Sequence, residues 1–249
     1  MSRIKPYIID IAIVFILMPS VLLLSPTVFN TLLLPKAVWQ LSGDFLAFFI
    51  ALSLNKFRWK IKINFFKFRH SFKQLMSSTP ALILLLLTTN FSSINLDSVS
   101  LLPLLTTLGI AFVEEFIFRG LLIPMSDRVA PNKPFIAVLI SSTGFAFAHI
   151  GNLAHISANI LLLQILLVFA TGLLWAAVYI KTNNLVITIA MHFLSDIHMI
   201  TKTTGNSSGL SLSGSQTSFM VVLILVIVLV CLCIAFMQVH KFNKPWTSK

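Results

Sequence analysis

The chain has 249 residues, 57% hydrophobic and only 10% charged, with a mean hydropathy of +0.95 and a formal net charge of +11. Soluble domains carry about 25% charged residues, so this composition excludes a soluble globular protein and makes the bilayer the solvent for much of the surface. The positive charge does not point to nucleic acid: Lys56, Arg58, Lys60, Lys62, Lys67, Arg69 and Lys73 crowd one acid-free loop, as the positive-inside rule expects of a cytoplasmic segment.

A crossing helix needs about 20 apolar residues, and eight spans are predicted near 7–25, 37–54, 79–94, 100–123, 135–150, 156–180, 184–200 and 217–239. The first run, behind Arg3 and Lys5, is long for a signal peptide and lacks a small-x-small cleavage site, so it reads as an uncleaved span. In the loop 55–78, Phe57, Trp59, Phe65, Phe66 and Phe68 interleave with the basic residues, the pattern of an amphipathic segment at the interface, where anionic headgroups meet lysines. Pro124 reads as the terminator of the fourth span. The Ser/Thr/Gly-rich stretch 201–216 reads as a flexible extracytoplasmic loop. Cys231 and Cys233, at i and i+2 on the last span, point to different helix faces, which disfavours a mutual disulfide, and no other Cys supplies a thiolate zinc site.

With Met1 cytoplasmic, 15 of the 18 basic residues fall on the inside, Lys36 and Lys202 outside, and Arg119 within a span. That asymmetry predicts a multi-pass protein with both termini in the cytoplasm. The fold class expected is all-α, a polytopic transmembrane bundle of about eight spans around an intramembrane cavity. The expected divisions are 1–95, N-terminal spans with the basic loop; 96–200, a catalytic core; and 201–249, an extracytoplasmic loop, last span and cytoplasmic tail.

The chain has two glutamates, Glu114 and Glu115, adjacent in the middle of the fourth span, with Arg119 one turn on. An ionised group at the centre of a membrane helix costs roughly 2.5–3.5 kcal/mol on insertion scales, so these three are candidates for function. Glu115 and Arg119 at i, i+4 share a face, and Glu114 is turned from Glu115 by about 100°. The fifth span carries Phe145 and His149, and the seventh His192 and Asp196, again at i, i+4. Singly, each pair is more cheaply explained by packing or by a structural ion pair. Together they place six ionisable groups on three helices that can face one cavity. Asp10 and Asp44 lie near span ends, where they can be solvated; His155 and His198 fall near extracytoplasmic ends, His70 and His240 in basic cytoplasmic segments. Ser141, Ser142 and Ser195 read as small residues for helix contacts.

The chemistry that suits this set is water activation with oxyanion stabilisation. A buried carboxylate serves as a general base, a neutral histidine orients the same water or binds a metal, and a second histidine held by Asp196 donates to a developing oxyanion. Arg119 can hold Glu115 ionised and leave Glu114 to act.

Glu114-Glu115-Phe-Ile-Phe-Arg119, Phe145-Ala-Phe-Ala-His149 and His192-Phe-Leu-Ser-Asp196 match, in order, the patterns E-E-x-x-x-R, F-x-x-x-H and H-x-x-x-N/D. With these motifs the chain resembles the CPBP family, which holds type II CAAX prenyl endopeptidases, Abi proteins and bacteriocin-processing or immunity proteins, intramembrane proteases of eight or so helices. The resemblance covers about 100–200. It implies Glu114 as the base that activates water, His149 as its partner on that water or on a metal, His192 and Asp196 as an oxyanion-stabilising pair, and Glu115, Arg119 and Phe145 as supporting residues. Asp196 departs from the asparagine common at that position; an ionised Asp accepts from His192 but cannot donate. A divalent metal such as zinc stays open, with Glu114, His149 and His192 as the three ligands available to it.

The expected activity is therefore that of an intramembrane endopeptidase acting on a membrane-associated peptide or protein, with the lipid bilayer as its surroundings and no nucleic-acid partner. The Lys-rich, Phe- and Ile-heavy composition points to a bacterial plasma membrane, where a peptide or protein is a better substrate than a prenylated one. Bacteriocin self-immunity or peptide processing are the roles the resemblance implies. The alternative is a non-catalytic scaffold or immunity protein on the same fold. A proton-coupled transporter would show repeated topology and Gly/Pro-broken helices in matching halves, and neither is evident.

Overall fold

The computed structural model describes residues 5–31, 39–67, 70–91, 99–154, 156–200 and 214–242. Among them the chain forms eight main helices: α1 Lys5–Thr31, α2 Trp39–Leu54, α3 Ser71–Thr88, α4 Leu101–Val129, α5 Pro134–Ala148, α6 Ala158–Thr182, α7 Leu185–Ser195 and α8 Gly214–Val239. Four stretches are long and apolar enough to cross a membrane: α4, α5 with its extension to Leu153, α6 and α8. Tyr7–Val21 of α1 and the whole of α7 are shorter apolar helices. The 11 residues of α7 reach only about 16 Å, too little to cross a hydrocarbon core of about 30 Å. The expectations placed on His155, the His198 side chain, residues 201–213 and the tail from residue 243 lie outside the described residues.

Helix α6 is the axis of the bundle. It packs against α3, α5, α7 and α8, and every residue from Leu173 to Ile180 is buried, the signature of a helix apolar all round. Its contact with α5 is close because Gly172 carries no side chain: a Cβ there would sit 3.3 Å from the Ser142 Cα and 3.4 Å from the Phe145 ring. Since the first of these is backbone, it cannot swing aside. Gly172→Val is expected to destabilise the protein by about 1–3 kcal/mol through overpacking, read as a lower thermal midpoint in detergent micelles.

Four local expectations are corrected. Pro124 does not end the fourth span. Helix α4 runs as α-helix over Leu101–Glu115, as π-helix over Phe116–Leu122 and as α-helix again over Ile123–Val129. Pro124 falls in the first turn of that last segment, where the register change out of the π turn makes a missing N–H least costly. Helix α3 begins at Ser71, inside the stretch expected as loop, because Gln74 and Ser78 on its early turns are buried against the bundle. Asp10 is not solvated: it is 6% exposed and paired with Arg58 at 2.6 Å, and Asp44 is fully buried. Finally, the aromatic-basic segment after α2 does not lie wholly at an interface. Trp59 and Ile61 are buried, and Phe65 stacks on Phe112 and Phe116 of α4 with centroids 6.0 and 6.3 Å apart.

The bundle gathers its basic residues at one end. Arg128 at the end of α4 donates to the Trp59 carbonyl at 2.9 Å and lies over the Tyr7 ring of α1. Gln238, near the end of α8, donates to the Ser77 carbonyl of α3 at 2.9 Å, and Lys181 of α6 lies over Phe242. These ties bring the start of α1, the end of α2, the start of α3 and the ends of α4, α6 and α8 to the same side. The asymmetry of charge along the sequence is thereby an asymmetry of the fold.

Candidate active site

Glu115 stands at the midpoint of α4, roughly 21 Å of helix from either end. It is fully buried, as is Arg119, and Glu114 is 5% exposed. Arg119 Nη1 donates to Glu115 Oε1 at 2.9 Å. The guanidinium lies over two neighbouring aromatic rings, 4.3 Å from the Phe145 centroid and 5.5 Å from that of Trp175, so a cation far from water meets both a carboxylate and π clouds. The π turn that carries Arg119 is braced from α5, where the Ser141 hydroxyl donates to the Phe118 carbonyl at 2.8 Å. Turns of this kind loosen the regular hydrogen-bond ladder and recur at functional sites.

The short α7 delivers the third motif. His192 Nδ1 lies 3.0 Å from the same Glu115 Oε1, and its Nε2 lies 3.3 Å from Asp196 Oδ2 and 3.7 Å from Glu114 Oε2. Asp196 is the C-cap of α7, its N–H bonded to the His192 carbonyl, and its other oxygen accepts from Ser195 Oγ at 3.0 Å. The His192 ring packs edge-on against Phe145 and beside Trp175, at centroid distances of 5.5 and 5.0 Å.

His149 reaches the same region from the end of α5. Its Nδ1 is 2.9 Å from the Phe145 carbonyl, a contact that makes Nδ1 the donor and leaves the Nε2 lone pair available. His149 is half-buried and within electrostatic reach of Glu114. Phe145 is the hub: its ring touches Phe118, Arg119, His149, Trp175 and His192. The structure thus brings Glu114, Glu115, Arg119, Phe145, His192 and Asp196 into one cluster with His149 at its rim.

Two features of this cluster are not in the motifs. Trp175 closes the aromatic cage from α6; its only signal in the sequence is a tryptophan three residues after Gly172 in a run of small residues. Glu115 also serves His192 as well as Arg119, so the guanidinium and the imidazole converge on one carboxylate oxygen. Among the described residues, Glu114, its neighbour in sequence, makes only the long approach to Nε2.

Glu114, His149 and His192 do not assemble into a metal site as arranged. Among the described residues no group of three His, Cys, Asp or Glu side chains is placed to hold an ion, and both ring nitrogens of His192 face carboxylates. A nitrogen so engaged is not a free ligand.

Beside the cluster runs an apolar groove of about 440 Å³, lined by residues that include Phe45 of α2, Phe65, Leu108 and Phe112 of α4, and Ile189 of α7. Phe112 stands three residues before Glu115, and Ile189 three before His192, so groove and cluster share faces of both helices.

Residues 97–198 match the model of the Rce1-like family, type II CAAX prenyl endopeptidases. The match covers less than half of the chain and includes all three motifs, in agreement with the resemblance they carry. No curated protein and no solved structure matches the chain.

Proposed function

We propose that this integral membrane protein, with its Rce1-like domain of the CAAX-type intramembrane protease family, is an endopeptidase that hydrolyses a peptide bond of a membrane-associated peptide or protein with water activated by Glu114 and His149. The observation that carries the reading is the unequal treatment of two adjacent carboxylates. Glu115 takes both Arg119 and His192 on its Oε1, whereas Glu114, among the described residues, faces the edge of His192 and the vicinity of His149. Environments that separate two like groups separate their roles.

In this mechanism Glu114 accepts a proton from a water that also donates to the lone pair on His149 Nε2. The resulting hydroxide adds to the scissile carbonyl, and the oxyanion takes the N–H of His192 Nε2, displacing the long contacts to Asp196 and Glu114. Asp196 holds Nε2 until the oxyanion forms, consistent with a carboxylate that accepts and does not donate, and Glu115 on Nδ1 then keeps the ring oriented. Glu114 returns its proton to the departing amine, and the C–N bond breaks. Glu115 and Arg119 hold the ring and α4 in register. The substrate's apolar part lies in the groove beside the cluster, and the basic end of the bundle is cytoplasmic. Self-immunity to a bacteriocin or maturation of a peptide are roles such an enzyme would fill.

The test compares peptide termini in host membranes that carry the wild-type protein or Glu114→Gln at equal abundance. New ends seen only with the wild type identify protease and substrate together. Identical termini, with Glu114→Gln still supporting the host phenotype, would replace this reading with that of a binding protein.

A further inference from the structure

The chain between α2 and α3 is a strap laid on the bundle. Asn55 fixes its start: the side chain accepts from the Ile61 N–H at 2.8 Å and donates to the Ile61 carbonyl at 3.0 Å, while Lys60 turns the chain with a φ of 52°. From there to Lys67 the chain forms neither helix nor strand, and from Trp59 to Lys62 buried and exposed side chains alternate. Trp59, Ile61, Ile63 and Phe65 face the protein. Ile63 packs on Gly120 in the π turn, where a Cβ would meet it at 3.2 Å, and Phe65 lies on Phe112 and Phe116. Lys60 and Lys62 face outward, with Lys67 exposed after them, while Phe66 lines the apolar groove.

The far end of the strap caps α7. The Asn64 and Phe65 carbonyls accept from the Leu185 and Val186 N–H groups, each at 3.2 Å, satisfying two of the donors that a helix start leaves open. Asn64 Nδ2 donates to Asn183 Oδ1 at 3.2 Å, and Asn184 Nδ2 to Gln74 Oε1 at 3.0 Å. His192 lies seven residues beyond Leu185, about 10 Å down one short helix, so the seat of the strap sets where His192 meets Glu115.

We propose that the outer face of this strap binds anionic phospholipid headgroups, and that their binding presses the strap onto its seat and so orders α7. Lys56, Lys60, Lys62, Lys67 and, on the next helix, Lys73 are all exposed, and the sequence has no acid between Asp44 and Asp97. Arg58 is engaged with Asp10 and is left out of the surface. Phe57 and Phe72, 75% and 72% exposed, stand among these lysines. A soluble polyanion would leave those rings in water, whereas a bilayer interface takes both the cations and the aromatics. Any effect of the lipid on cleavage rests on the endopeptidase reading; the binding does not.

The test reads the strap without reading cleavage. Ile61→Cys, in a background of Cys231→Ser and Cys233→Ser, is reconstituted as the full chain in vesicles of phosphatidylcholine alone or with one-third phosphatidylglycerol, and the rate of maleimide labelling is measured. Labelling is expected to slow by about five-fold or more with phosphatidylglycerol, the scale of one lysine at a charged surface. The difference should vanish in the combined Lys60→Gln, Lys62→Gln, Lys67→Gln variant and shrink in high salt. If the buried cysteine prevents folding, the thermal midpoint of the wild type against that lysine variant in the two vesicles takes its place, with a lipid-dependent rise expected in the wild type alone. Equal rates or midpoints in both vesicles, or the same protection from inorganic phosphate in phosphatidylcholine vesicles, would overturn the proposal. Loss of cleavage in Glu114→Gln with lipid protection intact keeps the two claims apart.

Discussion

Arg119→Leu is expected to destabilise the fold by about 3–5 kcal/mol, the scale for breaking one side of a buried ion pair. The reason lies in what remains. Glu115 is fully buried at the midpoint of α4 and, among the described residues, would keep only the His192 ring on its Oε1. Phe145 and Trp175 would lose the guanidinium that lies over both rings. Arg119→Lys preserves the charge but not the planar stack, and an intermediate loss is expected. The decisive measurement is a double-mutant cycle with Glu115→Gln, followed by thermal unfolding in micelles. Removing both partners should recover more than about 1.5 kcal/mol relative to the sum of the single changes, within the range of directly coupled residues. Simple additivity would show that the 2.9 Å pair carries no coupling.

That pair was legible in the sequence, since i, i+4 spacing on a helix fixes neighbours before any tertiary structure is known. So was the helical class, because a chain with so few charges has few other ways to satisfy its backbone in lipid. What spacing cannot show is which partner from another helix arrives at a given carboxylate. The convergence of Arg119 and His192 on Glu115 depends on α7 being short and on its start being held by Asn64 and Phe65, contacts separated by more than a hundred positions. Trp175 is a similar case: its position on α6 becomes meaningful once Gly172 has let α5 approach. Pro124 misleads for the opposite reason. Local rules make proline a helix end, but a π turn immediately before it changes the register in which the missing N–H would have been needed. The burial of Asp10 and of the strap likewise reflects tertiary pairing, which composition reports only as an average.

The two glutamates should come apart under the same conservative change. Glu114→Gln is expected to fold like the wild type, with a stability change of no more than about 1 kcal/mol, because Glu114 makes no close ion pair and approaches His192 Nε2 only at 3.7 Å. Its cleavage rate should fall by about 10²-fold to 10⁴-fold, the usual contribution of a general base. Glu115→Gln should lose stability as well as cleavage, since it leaves Arg119 buried with a neutral partner and frees the Nδ1 side of His192. Thermal midpoints and single-turnover cleavage of the substrate identified from membrane termini, measured on both variants in the same vesicles, separate the outcomes. If Glu115→Gln folds and cleaves while Glu114→Gln unfolds, the assignment of base and brace is inverted. If both fold normally and both cleave, neither carboxylate takes part in the chemistry and neither braces the fold.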